Sequence, residues 1–323
     1  MILEIYKDFE NLLMLNPPFI EFVWHRKFSS TGEFRLNTNF SSENFKLFDI
    51  GNILFRRDLN EAALVEGRDV IQTEESGTIL VVRGRFLSSL LDRRVATIST
   101  TANLNTILTT IINDNFLTSA AITRRMSPLL TMLPFDISSK QVLVEHSLRS
   151  ALDIIGELAE EHQFGFNCIY NIQNQSFDLQ FYNPTYSDAV FSSEFNNVLE
   201  EMFHEETERM RNVIIIGDTI HNDNVYTGIN RREMSTSGLR DEEIAATQAI
   251  QTALRQNRHE RSINAVIDTH NIQFAYLNDW NLGSVVTLKN RDLDFIEKRI
   301  VSDIVEFYDR AGFNIEVQTT EVM

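Results

Sequence analysis

The sequence predicts an α+β, β-rich fold, with two related β-barrel-like domains that carry α+β and helical insertions. Three observations lead to it. Two distant stretches, Phe48 to Gly84 and Trp280 to Thr319, repeat one pattern. The chain holds 23 Phe but only 12 Gly and 5 Pro, so aromatic strand residues are many and sharp breaks few. Between the repeats, apolar residues follow the spacing of amphipathic helices.

In each repeat an aliphatic-Gly step, Ile50-Gly51 or Leu282-Gly283, opens a short apolar run. Arg-Asp-Leu follows (Arg57 to Leu59, Arg291 to Leu293), and a turn ending in Gly precedes a last alternating strand. The offsets are 283 − 51 = 232, 291 − 57 = 234 and 312 − 77 = 235. Self-similarity at a nearly fixed offset points to one β-unit used twice. The plainer reading is that all Gly-bounded meanders share such features, and equivalence of the strands decides between the two.

From the N-terminus, Phe19 to Leu36 reads as a hairpin, two aromatic-rich runs flanking Ser29-Ser30-Thr31-Gly32. Lys46 to Leu91 adds three or four strands, with turns at Arg57-Asp58 and at Glu74 to Gly77, and Gly84 to Arg94 reads as a short closing helix. Thr101 to Phe116 places Leu104, Ile107, Leu108, Ile111 and Ile112 on one helical face. A second helix spans Ser147 to Gln163, with Leu148, Leu152, Ile155, Leu158 and Ala159 on one face and Gly165 as its stop. Phe164 to Asn171 and Ser176 to Pro184 alternate as a hairpin. A strand at Asn212 to Gly217, an extended segment at Asn224 to Thr236 and a helix within Arg240 to His259 precede the second repeat. The expected domains are a β-barrel-like unit at 1–97, an α+β insert at 98–190 and a second β-barrel-like unit at 191–323, with a helical insertion at about 240–259.

Composition narrows the function classes. A net charge of −17 over 323 residues repels phosphate backbones, which argues against specific nucleic-acid binding. An acidic wall does suit a conduit past which DNA slides without adsorbing. Cys168 is the one cysteine, which excludes an intrachain disulfide and a multi-cysteine zinc site and fits folding in a reducing cytoplasm. The start lacks a basic segment followed by a long apolar core, and no window approaches the roughly 18 apolar residues of a membrane span. The expectation is a soluble chain with no stable membrane insertion.

No catalytic constellation emerges. His146 and His162 lie 162 − 146 = 16 residues apart, too far to share a ligand face. His204-Glu205 begins a zinc signature that fails because position 208 is Glu. Glu200 or Glu201 with His204 mimics a Glu-x-x-His pair, but a second copy is missing, and an acidic exposed helix face is the better reading. His221 with Asp218 and Asp223 reads as a solvated turn. Cys168 falls in the alternating run Phe164, Phe166, Cys168, Tyr170, which marks it as a core residue rather than a nucleophile. Adjacent Glu74 and Glu75 point to opposite faces of a strand and cannot flank one bond. The expectation is a non-enzyme with no catalytic, cofactor-binding or metal residues and no cofactor. Arginine pairs at 56–57, 83 and 85, 93–94, 124–125 and 231–232, with Lys298-Arg299, suit intersubunit salt bridges or snorkelling strand ends.

The ordered landmarks FVWHRKFSSTGEFRL, FDIGNILFRRDLNEAALVEG, ILVVRGRFLSSLLDRRV, SLRSALDIIGELAEEHQFGFNCIY, SSEFNNVLEEMFHEETERMRNVIIIGD, INRREMSTSGLRDEE, YLNDWNLGSVVTLKN and RIVSDIVEFYDRAGFNIEVQ run through nearly the whole chain. In their order and spacing the chain resembles the tail-hub (minor tail, baseplate-hub, siphophage tail-tip) proteins of long-tailed bacteriophages. The resemblance implies a baseplate-hub-like fold and a structural virion protein, made in the host cytoplasm and located at the tail tip or baseplate. It implies a trimeric ring that joins the tail tube to distal components and lines a channel through which DNA passes without specific binding. The implied partners are further copies of the chain, the distal tail protein, the tape measure protein, and tail fibre, spike or receptor-binding proteins. The alternative is a receptor- or saccharide-binding module of a phage tail or tail-like injection particle, which needs exposed aromatics such as Trp24 or Trp280 in a concave site.

Overall fold

The computed structural model describes every residue except 8, 74–76, 120, 217–218, 222–224, 237–259, 269–272, 292–294, 311 and 323. The expected helix at 240–259, most of the Glu74 to Gly77 turn, and Asp218 and Asp223 lie outside the described residues.

The first part of the chain contains β1 (Leu3–Lys7), β2 (Asn11–Leu15), β3 (Glu21–Lys27), β4 (Glu33–Asn39), α1 (Ser42–Leu47), β5 (Ile53–Arg56), β6 (Glu61–Thr73) and β7 (Gly77–Phe86). A 3₁₀ helix, Leu87–Arg93, ends it within the stretch expected as a short helix, Gly84 to Arg94. The middle comprises β8 (Val95–Asn103), α2 (Leu104–Ile112), β9 (Leu130–Met132), β10 (Gln141–Ser150), α3 (Ala151–His162), β11 (Gly165–Asn171) and β12 (Ser176–Tyr182). The last part is β13 (Thr185–Phe191), β14 (Val198–Glu206), β15 (Val213–Ile216), β16 (Thr219–His221), β17 (Glu233–Thr236), β18 (Glu260–Ile267), β19 (Ser284–Asn290), β20 (Phe295–Asp309) and β21 (Gly312–Glu321).

Strand pairing shows the repeat directly. In the first part the lateral order is β1-β5-β6-β7-β4-β3. In the last part it is β13-β19-β20-β21-β18-β14. With β2, which pairs with β1 alone, and the separate β15–β17 sheet set aside, each is the same permutation of six strands in chain order. One pairing differs in direction: β1 runs antiparallel to β5, whereas β13 runs parallel to β19.

Local detail agrees. Gly51 and Gly283 both have positive φ, +91° and +79°, where a side chain is strained. Each donates its N–H across the meander, Gly51 to the Val65 carbonyl and Gly283 to the Val301 carbonyl, both at 2.9 Å. A β-bulge follows each acceptor, between Val65 and Gly67 and between Val301 and Asp303. The drift in offset now has a cause. The β5–β6 hairpin makes four residue pairs and the β19–β20 hairpin six, so the offset grows from 232 at the opening glycine to 301 − 65 = 236 at the bulge.

The two units meet where β3 pairs antiparallel with β20, which merges them into one large, mostly antiparallel sheet. The mostly β fold with two related strand units is as expected. The sheet, however, does not close into a barrel: among the described residues β2, beyond β1 in the first unit, and β13 and β14 in the second each pair on one side alone.

Alternation explains the packing. Phe22 and Trp24 on β3, with Phe34 and Leu36 on β4, turn inward and are buried. The other face of the first unit, through Ile53, Phe55 and Leu64, packs against α2 and α3 in the largest core. In α2 the face expected from periodicity is the buried one, and Asn103 caps its start by accepting from Thr106 N–H at 2.8 Å. For α3 two expectations fail. Leu148 is 79 % exposed and left-handed within β10, so the helix begins at Ala151. Its stop is Gln163, itself left-handed, while Gly165 starts β11 and is small because a Cβ there would lie 2.5 Å from the Phe28 ring. The segment around Glu200, Glu201 and His204, expected to be a helix face, is strand β14. Its helix-forming glutamates are overridden by continuous pairing with β18.

Gly84 gives a direct test of the tight meander. A Cβ there would sit 1.7 Å from the Leu64 carbonyl oxygen and 2.8 Å from the Phe34 ring, whereas its counterpart in the second unit is Thr319. Gly84→Ala is expected to lower stability by at least about 1–3 kcal/mol, the usual cost of overpacking, as read by urea unfolding. An unchanged midpoint would show that the strands separate at no cost.

Candidate functional site: the seam between the two strand units

The β3–β20 junction buries a continuous set of charges. On β3, Arg26 faces inward and its guanidinium holds Glu61 of β6 through Nε at 2.8 Å and Nη2 at 2.7 Å. Trp24 donates its indole N–H to the same carboxylate at 2.9 Å. The other nitrogen of Arg26, Nη1, donates across the seam to the Tyr276 hydroxyl at 2.8 Å and to Asn281 Oδ1 at 2.6 Å. Tyr276 passes the chain on by donating to Glu306 Oε1 at 2.6 Å. Glu306 on β20 also accepts from Tyr308 at 2.8 Å and from Arg56 of β5 at 2.5 Å. Arg56 finally reaches Asp58 at 2.6 Å, with its guanidinium 5.8 Å from the Trp24 ring centre and 5.7 Å from that of Tyr308. Arg56 and Glu306 are 1 % and 0 % exposed, so these charges depend wholly on one another.

Strand geometry puts the partners in place. Glu306 stands directly opposite Trp24, and Ile304 opposite Arg26, so these side chains share the inner face of the sheet. Burial alone would weaken the hold of Arg26 and Arg56 on their protons. Glu61 reverses this for Arg26, and Glu306 with Asp58 for Arg56, so both stay charged. Burial, reinforced by Glu306, pushes the hydroxyls of Tyr276 and Tyr308 up, which keeps both as donors. Burial would also raise Asp58, but its hydrogen bond and ion pair with Arg56 outweigh that and hold its carboxyl below the usual range.

A polar cleft of about 500 Å³ flanks the seam between Lys27–Ser30, Glu160, Gln163 and the strand residues Ile300, Ser302, Asp303 and Thr320. Within it Glu160 is raised by burial and by Glu157 and Asp303. On the outer face His25 bridges Asp303 at 3.1 Å and Glu33 at 3.3 Å.

The residues weighed from sequence fall elsewhere. His204 lies 3.4 Å from Glu206 on the same strand, and Glu201 accepts from Asn290, so no Glu-x-x-His pair forms. His146 sits 3.7 Å from Glu157. Among the described residues no group of three or more His, Cys, Asp or Glu is placed to hold a metal. Cys168 is buried and burial pushes its thiol up, as a core residue requires. Several arginines read as intersubunit contacts or snorkelling strand ends are engaged within the chain: Arg56 in the network, Arg57 with Glu4, Arg83 with Asp69, and Arg85 with Glu66. Trp24 and Trp280 are 0 % and 2 % exposed and form no sugar platform. Sequence reading missed Glu61, Tyr276, Asn281, Glu306 and Tyr308. For Glu61, Glu306 and Tyr308 the one signal was charge or hydroxyl within strands; Tyr276 and Asn281 lie outside the strands, ahead of β19, and carried none.

The duplicated strand unit held by a buried polar seam has the fold of phage tail proteins. Similar structures are the 43 kDa tail protein of prophage MuSo2 from Shewanella oneidensis (TM-score 0.65, 10 % identity, 99 % of this chain and 98 % of that one) and prophage tail protein gp18 from Listeria monocytogenes (0.61, 11 %, 100 % and 96 %). The E. coli c3393 protein, a component of the type VI secretion system, is also similar (0.51, 10 %, 94 % and 74 %). The chain belongs to the family of Siphovirus ReqiPepy6 Gp37-like proteins, whose model matches residues 3–319. The family is thus one named for a siphovirus protein, and the fold is one shared with phage tail proteins. No curated protein sequence matches it. No helix among the described residues is long and apolar enough to cross a membrane.

Two measurements probe the site. Glu306→Ala strands Arg56 in the core and is expected to cost about 3–5 kcal/mol in chemical unfolding, as for any broken buried pair. Asp58 carries a folded-state pKa below its unfolded value of about 3.9. Its contribution is therefore complete above that pH and is lost as pH falls through the lower folded value. Asp58→Asn should remove about 1 kcal/mol at neutral pH, modest because Asp58 is part-exposed, and shrink the loss of stability on acidification. An unchanged acid limb would refute the coupling.

Proposed function

We propose that this chain is the hub of a phage tail tip or baseplate, one subunit of a trimeric ring that joins the tail tube to the distal tail components. The single observation that carries this reading is the repeat of one six-strand order within the chain, with the two copies locked side by side by the seam. Three such chains present six similar units around an axis, so a threefold tip can match a sixfold tube. The buried network supports the reading because it fixes the relation of the two copies, which a ring of alternating units needs. The acidic balance suits a channel wall past which DNA moves without being held.

In this reading the segments 1–97 and 191–323 supply the ring, and 98–190 hangs from it as an insert. The partners are the distal tail protein, the tape measure protein and a fibre, spike or receptor-binding protein, and the chain itself does no chemistry. The alternative of a saccharide-binding module loses its candidate platform, since both tryptophans are in the core.

Sedimentation of the purified chain is expected to give a particle of three subunits, with class averages in the electron microscope showing six similar lobes around a central opening. A strictly monomeric chain at high protein concentration, with no association with tail-tube proteins, would overturn the proposal.

A further inference from the structure

The internal repeat also says where one copy meets the next. Within the chain the seam joins the second strand of unit one, β3, to the fifth strand of unit two, β20. The equivalent strands are β14, the second of unit two, and β6, the fifth of unit one. Among the described residues, no strand lies on the outer edge of β14. Beyond its bulge β6 pairs with β7 alone, on one side. We propose that β14 of one chain adds antiparallel to β6 of a second copy, reproducing the intrachain seam between molecules and closing the ring. The proposal rests on the ring reading above and names its contact surface.

The pairings set the register. Gly84 and Thr319 are counterparts, since they stand opposite Val65 and Val301 just before the two bulges. Gly84 lies opposite Phe34, and Phe34 opposite Trp24. Thr319 lies opposite Ile263, and Ile263 opposite Phe203. Phe203 is thus the counterpart of Trp24, and His204 that of His25. On the other strand, Glu306 stands three residues beyond Asp303, as Val70 stands three beyond Gly67, so Val70 is the counterpart of Glu306. Because Glu306 faces Trp24 in the seam, Val70 of one chain faces Phe203 of the next.

Side chains chosen by this mapping alone are complementary. Ile71 falls opposite Met202, and these two with Val70 are exposed apolar residues at 44 %, 65 % and 48 %. Arg68 falls opposite Glu205, opposite in sign, and Asp69 opposite His204; within the chain Arg68 also holds Asp49 and Asp69 holds Arg83, so any contact these make across the new seam is additional to those pairs. The occupant is a second copy rather than a foreign strand, because the complementary edge belongs to this same sequence.

The test is disulfide trapping in the full chain. Ile71→Cys and Met202→Cys, both at exposed sites away from the core, are combined and oxidised under mild conditions, with Cys168 buried and silent. The expected product is a covalent trimer on a non-reducing gel, restored to monomer by reductant. The one-residue mismatch Val70→Cys with Met202→Cys, whose side chains fall on opposite faces, should cross-link at least tenfold less. Both variants are checked for unchanged thermal melting before oxidation. A trimer in sedimentation that resists trapping at 71 and 202, or traps equally with the mismatch, overturns the β14–β6 contact and leaves the ring standing. A monomer throughout overturns both.

Discussion

The buried pair of Arg56 and Glu306, extended through Tyr276 to Arg26 and Glu61, is the interaction on which the rest of the structure depends. A buried ion pair is a poor source of net stability, because desolvation consumes most of the Coulomb gain. Its value is geometric. With the two carboxylates shared among five donor residues, any slip of β3 along β20 by one residue would turn Arg26 and Trp24 to the other face, leave Glu61 buried without its cation and break the Arg26–Tyr276–Glu306 relay. An apolar seam would tolerate neighbouring registers far better. The network thereby fixes how two copies of one strand unit stand relative to each other, the property a ring-forming subunit requires.

The repeat itself tolerates change wherever geometry is not at stake. The opening glycine, the hydrogen bond it donates and the bulge after the acceptor occur in both units. The first hairpin differs by two residue pairs, and Gly84 is matched by Thr319. Bulges coil a strand and set its twist, so a retained bulge preserves the curvature of each unit while the hairpin length and side chains diverge. The polar residues at the seam follow the same logic. Arg56 and Glu306 act once per chain, at a junction present once per chain, and need no counterpart in the other copy.

Much of the fold was legible beforehand because it is local. Alternation in β3 and β4 placed Phe22, Trp24, Phe34 and Leu36 in the core, and helical spacing in α2 named its buried face. Where local signals misled, a long-range partner was responsible. Glu200, Glu201 and Glu205 favour helix, yet pairing with β18 makes them strand. Gly165 looked like a helix stop, while its small size serves the Phe28 ring, far away in sequence. Leu148 fits the helical pattern by spacing but is diverted by a left-handed backbone inside β10.

By itself the sequence determined the β-rich class, the two related meanders, the buried face of α2, the inert Cys168 and the family resemblance, because periodicity, turn chemistry and self-similarity are written in neighbouring residues. Only the tertiary structure decided that the sheet stays open, that β14 is a strand, and that Arg56, Arg57, Arg83 and Arg85 hold carboxylates within the chain. It alone brought Arg26 to Tyr276 and Arg56 to Glu306, each pair 250 positions apart. Charge pairing in a core is set by which strands become neighbours, and strand order is a long-range choice that no local pattern encodes.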